Sequence, residues 1–419
     1  MAVRRNGTAR NGTLAALDVG TSKVCCFIAR ADPGRGIRVT GIGHQASSGL
    51  NAGAVADIEG AEQSIRATVE AAERMAGHTV HEILVNLSAG LPASHRLAVE
   101  VAIGGREVGE TDVGRALAEA RAQGEVDERE VVHTIPVGYT IDGAPGIHDP
   151  RGMYGSALGV DVHLVTAAQG ALRNLVLCVE RGHLEIDRLV YSAYASGLAT
   201  LVEDEMNLGV TLLDMGGGTT SIAVFCGGSL AFADSVRLGG QHVTNDVARG
   251  LATSCAHAER IKTLYGSATP GVSDEREIID VPLVGEEDAD AANHVPRSML
   301  VGIIRPRLEE TFELIRDRLE GSSESRLAGR RVVLTGGASQ LQGVRELAAR
   351  VLDKQVRLGR PIRIDGLAEA TGGPAFATCA GLLAYATRES FETAYSRTAN
   401  DGPPTARLAR LGRWLRENF

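Results

Sequence analysis

The sequence predicts a duplicated α/β fold with two facing halves, and three observations carry that expectation. A strand ending in Asp, a Gly-rich turn and a second apolar strand occur twice, as LDVGTSKVCCFIA from Leu17 and as LDMGGGTTSIAVF from Leu213. Strand and helix patterns alternate around each copy, as they do about a buried sheet. The chain's 419 residues, 44% of them apolar, suffice for two or more cores.

In order, residues 14–44 read as three strands, LAALDVG, VCCFIA and IRVTGIGH, joined by turns. Residues 57–76 place Ile58, Ala61, Ile65, Val69, Ala72 and Met75 on one helical face, and the strand EILVNLS, Glu82 to Ser88, follows. From 89 to 165 the pattern loosens into RLAVEVAI, VVHTIPVGYTI and VDVHLVTA around one helix near 111–122, with a Gly- and Pro-rich loop from Gly143 to Gly159. This stretch reads as an inserted α+β module. Helix 168–181, strand 186–191 and a helix near 195–207 lead into VTLLD, Val210 to Asp214. Helices near 241–251 and 256–265 follow, then an acidic stretch from Asp274 to Asp290, read as a solvated loop in preference to a partner-binding segment. Helix 297–320 is expected to kink at Pro306, which cannot donate a helical hydrogen bond. Strand RVVLTGG, helix 342–352, strand QVRLG and helix 374–386 complete the second half.

The implied organisation is a disordered basic tail at 1–13, a first core at 14–88 plus 166–200, and the insert at 89–165. A second core at 201–240 plus 333–390 carries an outer module at 241–332, a flexible linker at 391–406 and a terminal helix at 407–419.

The formal charge of -9 and pI near 5.7 argue against a general nucleic-acid binder, since phosphate neutralisation needs a basic face. Positive charge gathers at the ends. Arg4, Arg5 and Arg10 lie in the first segment, but the apolar run after them breaks at Asp18, too early for a signal-peptide core. No run approaches the roughly 18 apolar residues of a spanning helix, so the expectation is a chain that lies on a membrane without crossing it. Cys25, Cys26, Cys178, Cys226, Cys255 and Cys379 show no CxxC or metal spacing and are expected to be buried thiols in a reducing cytoplasm.

At the other end, RLARLGRWLRENF puts Leu408, Leu411, Trp414, Leu415 and Phe419 on one side of a helix and Arg410, Arg413 and Arg416 on the other. With the sole Trp and an arginine face beyond a Gly-Pro-Pro tether, this predicts an anchor on an anionic membrane surface. The alternative is a terminal helix docked on its own domain.

The glycine turns carry the chemistry. Asp18-Val19-Gly20-Thr21-Ser22-Lys23 sets a carboxylate at a strand end, then small residues whose amides can approach a ligand, hydroxyls and a cation. A polyphosphate is held by such groups, with magnesium bound to the carboxylate through water. Asp214, Gly216, Gly217, Gly218, Thr219 and Thr220 repeat the set. A lone copy is often only a turn, whereas two copies point to one ligand between them. A third cluster, LTGGASQLQG, would let a flat base lie against Gly336 and Gly337. Downstream of Gly239 and Gly240, Glu259 and Lys262 stand three apart on a helix, where they hold a ribose or form a solvated ion pair.

These features resemble the actin, Hsp70 and sugar-kinase superfamily, and within it the FtsA family of bacterial cell division. The likeness covers nearly all of 14–419. It rests on both hairpins, the GGxxVTxDVA pattern at Gly239, the AExIK helix, the LTGG turn, the late insert and the tail. It implies an actin-like, ribonuclease H-like fold of two domains around a nucleotide cleft that takes ATP and Mg2+, with Gly239 and Gly240 joining the site. It further implies self-assembly into filaments through the insert, and capture of the FtsZ C-terminal tail peptide by the module at 241–332. Recruitment of later division proteins at the cytoplasmic face of the plasma membrane, at the septum, is also implied. A Glu-Pro pair opens the helix between the halves in MreB and Hsp70, whereas Ser192-Ala193-Tyr194-Ala195-Ser196-Gly197 stands here, so at most a weak ATPase is expected. The rival readings are a PilM-like protein of type IV pilus assembly, which would lack the amphipathic tail, and a small-molecule kinase of the superfamily.

Overall fold

An apolar strand that meets a glycine turn folds back as an antiparallel ladder, and each half of the molecule begins that way. The computed structural model describes residues 12–32, 36–124, 126–284, 293–362, 364–388 and 392–394. Most of the expected basic tail and linker, and the whole terminal helix at 407–419, lie outside the described residues.

The first half opens with β1 (Thr13–Val19), β2 (Lys23–Asp32) and β3 (Gly36–Ala46), an antiparallel meander. Thr13, assigned to the tail by sequence, instead pairs with Arg30. A short hairpin, β4 (Leu50–Asn51) and β5 (Ala54–Val55), precedes α1 (Ile58–Ala76). The α1 start is capped by Asp57 accepting from the Glu59 amide, and its end by left-handed Gly77. Ala61, Ile65, Val69 and Ala72 are buried, but Met75 is 62% exposed. In the last turn Ala76 packs on the core instead of Met75.

After β6 (Glu82–Leu87) comes the insert: β7 (Ala93–Ala102), α2 (Glu110–Gln123), β8 (Arg129–Ile141), β9 (Ala144–Ile147) and β10 (Ala157–Ala168). It owns a separate core in which Val113, Ala116 and Leu117 of α2 share burial with Val99, Val160 and Val162 of the sheet. Part of the expected loop at 143–159 is a hairpin return, since β9 pairs back on β8. The first half then resumes with α3 (Gln169–Arg181), β11 (Glu185–Tyr191), α4 (Ser192–Thr200) and α5 (Glu203–Leu208). The single helix expected near 195–207 is thus two. Leu201 turns extended and buried, and the Glu205 carboxylate reaches back to the Val202 amide at 3.2 Å.

The second half repeats the plan with β12 (Val210–Met215), β13 (Thr220–Cys226), β14 (Ser229–Val236), α6 (Gly240–Gly250) and α7 (Cys255–Tyr265). A small ribbon, β15 (Ile278–Val281) with β16 (Asn293–Pro296), leads to α8 (Arg297–Glu320). The α8 helix runs unbroken through Pro306. Both Pro306 and Gly302 lie on its exposed face, so the carbonyl left without an amide partner faces solvent. Then follow β17 (Arg331–Thr335), a 3-10 turn at Gly337–Gln340, α9 (Val344–Leu352), β18 (Gln355–Leu358), β19 (Ile364–Asp365), α10 (Ala377–Thr387) and β20 (Thr393–Ala394). The α9 helix starts at Val344, two residues later than the sequence pattern assigns it, behind left-handed Gly343.

Both large sheets share one strand order. The first reads β11-β6-β1-β2-β3-β19 and the second β14-β13-β12-β17-β18, each with an antiparallel meander and two parallel additions on the far side of its first strand. This is the duplicated actin-like α/β fold. Two late segments bind back onto earlier sheets: β19 extends β3, and β20 pairs with β8 of the insert. Residues 392–394, expected in the linker, are therefore part of the folded body. Cys25, Cys26, Cys178 and Cys379 are buried, whereas Cys226 is half-buried and Cys255 exposed, contrary to expectation.

The halves meet where α4 crosses α10. A Cβ on Gly381 would stand 1.8 Å from the Ala195 carbonyl oxygen, so the two backbones touch there. Gly381→Ala is expected to force them apart and lower stability by about 1–3 kcal/mol, read as a lowered midpoint in urea unfolding; an unchanged midpoint would contradict the contact.

Candidate functional site

Both Asp-Gly turns are closed by the same bond: the Gly20 amide donates to the Lys23 carbonyl at 3.0 Å, and the Gly216 amide to that of Thr219 at 2.9 Å. The turns face each other across a cleft of about 550 Å3. Cβ atoms on Gly217 and Gly218 would stand 2.6 Å from Ser22 Oγ and 2.4 Å from Thr21 Oγ1, so only glycine lets the second turn lie against the first. Asp18, Gly20, Thr21, Ser22, Lys23, Asp214, Gly216, Gly217, Gly218, Thr219, Gly240, Glu259, Lys262, Gly336 and Gly337 all line the cleft.

Two expected residues do not. Thr220 is fully buried and donates its hydroxyl to the Leu238 carbonyl at 2.8 Å, because strand alternation turns it away from the cleft, while Ser221 lines it. Gly239 sits behind the second turn, where a Cβ would be 2.6 Å from the Gly216 carbonyl oxygen. Its neighbours Gly240 and Gln241 donate their amides to the Gly216 and Gly217 carbonyls, at 3.0 and 2.8 Å, and so lock α6 to the turn.

The two carboxylates differ in their partners. Asp214 Oδ2 accepts from Ser196 Oγ at 2.7 Å and Thr378 Oγ1 at 3.0 Å, which ties it to α4 and α10. Asp18 has no side-chain hydrogen-bond partner among the described residues and is only 8% exposed. Burial pushes the Asp18 carboxyl up to about 7, with Lys23 opposing the shift and Asp214 adding to it. Burial also raises Asp214, against the two hydroxyls and Lys23. Lys23 stays near both while donating to the Ala375 carbonyl at 2.5 Å and lying 3.5 Å over the Phe376 ring.

At the other end, Gly336 adopts φ +84°, and a Cβ there would come within 2.5 Å of Asp214 Oδ1; the third glycine turn thus abuts the second carboxylate. The Glu259–Lys262 pair at 2.7 Å is no free surface bridge. Lys262 also donates to Thr244 Oγ1 at 2.8 Å and the Gly240 carbonyl at 3.1 Å, and Thr244 donates to Glu259.

Asn86 and Thr378 also line the cleft and were missed in the sequence; Ser192, noted there only as standing in place of a carboxylate, lines it too, and Ser196 of the same stretch lies beneath Asp214. Asn86 accepts from the Val19 amide at 2.7 Å and donates to Ser192 Oγ at 3.1 Å, pinning the first turn to α4. A lone amide inside the apolar run EILVNLS was the available signal. Among the described residues no three His, Cys, Asp or Glu side chains form a direct metal-ligand group, and no helix is long and apolar enough to cross a membrane.

The family profile described as "Cell division protein FtsA" matches residues 211–381, and "SHS2 domain inserted in FTSA" matches residues 90–166. The FtsA of Rhizobium meliloti (strain 1021) is 47% identical, over 98% of this chain and 96% of its own length. The chain belongs to the FtsA family. Within that family, the FtsA of Escherichia coli (strain K12) is 33% identical over 96% of this chain and 97% of its own. FtsA membership gives the protein a role in bacterial cell division. Among solved structures, a PilM-PilN type IV pilus biogenesis complex aligns with TM-score 0.63 at 19% identity, covering 90% of this chain and 99% of that one. The MreB5 of Spiroplasma citri bound to ADP aligns with TM-score 0.54 at 13% identity, covering 89% and 95%. At such identities these likenesses show the shared actin-like fold alone.

The buried carboxyl has a consequence for stability. Burial raises folded Asp18 to about 7 from the 3.8 of a free carboxyl, so the folded state binds more protons between those values and loses stability as pH rises through them. Asp18→Asn is expected to match the unsubstituted protein in Tm near pH 4 and exceed it above pH 7 in metal-free buffer, with a gain of at most about 4 kcal/mol. A Tm difference that does not vary with pH would contradict the assignment.

Proposed function

We propose that this protein is an ATP-responsive adaptor of cell division that assembles into actin-like filaments and tethers FtsZ to the cytoplasmic face of the plasma membrane at the septum. The observation that carries this reading is the convergence of both Asp-Gly turns and the Gly336 turn on one cleft with two buried carboxylates. The Gly20–Lys23 and Gly216–Thr219 turns would take the phosphates, Glu259 and Lys262 the ribose, and Gly336 and Gly337 the base. Asp18 and Asp214 suit a hydrated Mg2+: both are buried at the cleft, and among the described residues no side chain hydrogen-bonds Asp18. The cation, when bound, neutralises phosphate charge between the turns.

Nucleotide acts here as a cross-link that favours the closed, polymerising conformation. Ser192 occupies the opening of α4, where MreB and Hsp70 carry a carboxylate, and slow hydrolysis follows. The insert at 89–165 meets the neighbouring protomer, and the module at 241–332 receives the FtsZ tail peptide. Later division proteins join the assembled filament.

Membrane attachment falls to residues 407–419. Full burial of one large apolar side chain contributes roughly 1.5–3 kcal/mol, and each arginine near anionic lipid about 1 kcal/mol. Helix ordering and partial burial reduce the sum, so one tail binds reversibly. A filament presents many tails on one face and gains avidity of roughly a hundredfold or more. Neither the pilus nor the kinase reading has an observation of its own in the cleft.

Two substitutions test the reading. Asp214→Ala is expected to weaken ATP binding and polymerisation together, measured by calorimetry and pelleting; lost binding with unchanged polymerisation would sink the switch. Trp414→Glu is expected to leave the circular dichroism of the body intact and abolish co-sedimentation with anionic vesicles. Retained co-sedimentation would exclude this helix as the anchor.

A further inference from the structure

A further buried carboxylate lies outside the cleft, near the end of the described chain. Glu392 is 3% exposed and belongs to the last described segment, whose Thr393 and Ala394 pair with Thr134 and His133 of β8. Its Oε1 meets His133 Nδ1 at 2.8 Å and accepts from Tyr385 at 3.0 Å, and its Oε2 accepts from Tyr194 at 2.7 Å. His133 Nε2 accepts the Tyr191 amide at 2.9 Å, which places the ring proton on Nδ1, donated to Glu392. Arg388 closes the cluster by donating to Tyr194 Oη at 3.2 Å and the Gly228 carbonyl at 2.9 Å. The insert, α4, α10 and the β13–β14 turn are thus gathered at the root of the C-terminal tail.

The same two helices hold the cleft. Tyr194 and Ser196 both belong to α4, and Tyr385 and Thr378 both to α10. Tyr194 and Tyr385 bind Glu392, while Ser196 and Thr378 bind Asp214. Between these attachments the helices touch at Ala195 and Gly381 with no room for a side chain. Thr378 and Tyr385 are two turns apart, about 10 Å along the axis. A shift of one helix against the other therefore cannot leave both carboxylates undisturbed.

We propose that residues 392–394 are a latch through which the tail root and the cleft are coupled: Glu392 fastens the start of the tail to the α4–α10 pair whose other contacts hold Asp214. The cleft half of this proposal rests on the nucleotide reading above. Pull on the tail is delivered to the insert and to the helix pair, and ligand at Asp214 alters how firmly the latch is held.

The test uses the full chain. Glu392→Gln keeps the shape but places an amide donor against hydroxyl or imidazole donors. Amide exchange of peptides spanning β8 and residues 392–394 and the affinity for Mg-ADP are measured in parallel. The expected result is faster exchange of both segments and a change of about fivefold or more in affinity, the lower end of a coupling effect. By reciprocity, Mg-ADP should alter exchange at 392–394 in the unsubstituted protein. Unchanged exchange in the variant overturns the latch. Faster exchange with unchanged affinity overturns the coupling. No Mg-ADP binding by the unsubstituted protein overturns the nucleotide reading and the coupling with it, while exchange still decides the latch. Should Glu392→Gln fail to fold, Tyr385→Phe removes one hydroxyl from the cluster, and the same two measurements on it decide in the same way.

Discussion

The contact on which this architecture depends is the backbone-to-backbone crossing of α4 and α10 at Ala195 and Gly381. Each helix packs chiefly on the sheet of the other half, α10 on β1, β2 and β6 and α4 on β12 and β13, and because Gly381 brings no side chain to the crossing, the two helices merge into one layer. The largest apolar cluster runs through that layer without interruption, from Phe27 and Leu84 of the first sheet, past Tyr191 and Tyr194, to Leu212 and Phe225 of the second. Close packing makes such a junction bistable rather than compliant. Ser196 and Thr378 of these two helices both donate to Asp214 at the cleft, so the crossing and the cleft share their anchors.

Charge is placed on the same layer. Burying a carboxylate is unfavourable unless hydroxyls, amides or cations compensate it. Asp214 has Ser196 and Thr378, and Glu392 has His133 and two tyrosines. Burial would raise the Glu392 carboxyl, but the hydrogen bonds from His133, Tyr194 and Tyr385 outweigh it and hold the group below its ordinary range. Asp18 has no comparable set and is raised to about 7 by burial. A satisfied carboxylate is a fastener, whereas an unsatisfied one awaits a cation or a proton. The molecule holds both kinds within one connected set of helices.

Duplication explains the two sheets of equal strand order, and the departures from it are informative. The first half carries the insert between β6 and α3, and the second carries α6 to α8 between β14 and β17. Strands β19 and β20 come from the end of the chain yet complete the first sheet and the insert sheet. The late chain therefore ties the early chain in place, and no half can be lifted out without breaking ladders of the other.

By itself the sequence determined the duplicated fold, most strand and helix positions, and fifteen of the seventeen residues assigned to the cleft by motif, all of which line it. Those features are local: hydrophobic period, glycine turns and strand-end carboxylates are set by neighbours a few residues away. It misassigned Thr220 and Gly239, because which face of a strand or turn meets a cavity depends on what packs behind it. It assigned no contact to Asn86, Ser196 and Thr378, whose roles exist only when β6, α4 and α10 converge on two aspartates. It placed Glu392 in a linker, since a lone glutamate after an apolar helix carries no period and finds its partners 198 and 259 residues away. Only tertiary structure brings such separated groups together, because their burial becomes favourable only once all of them are present.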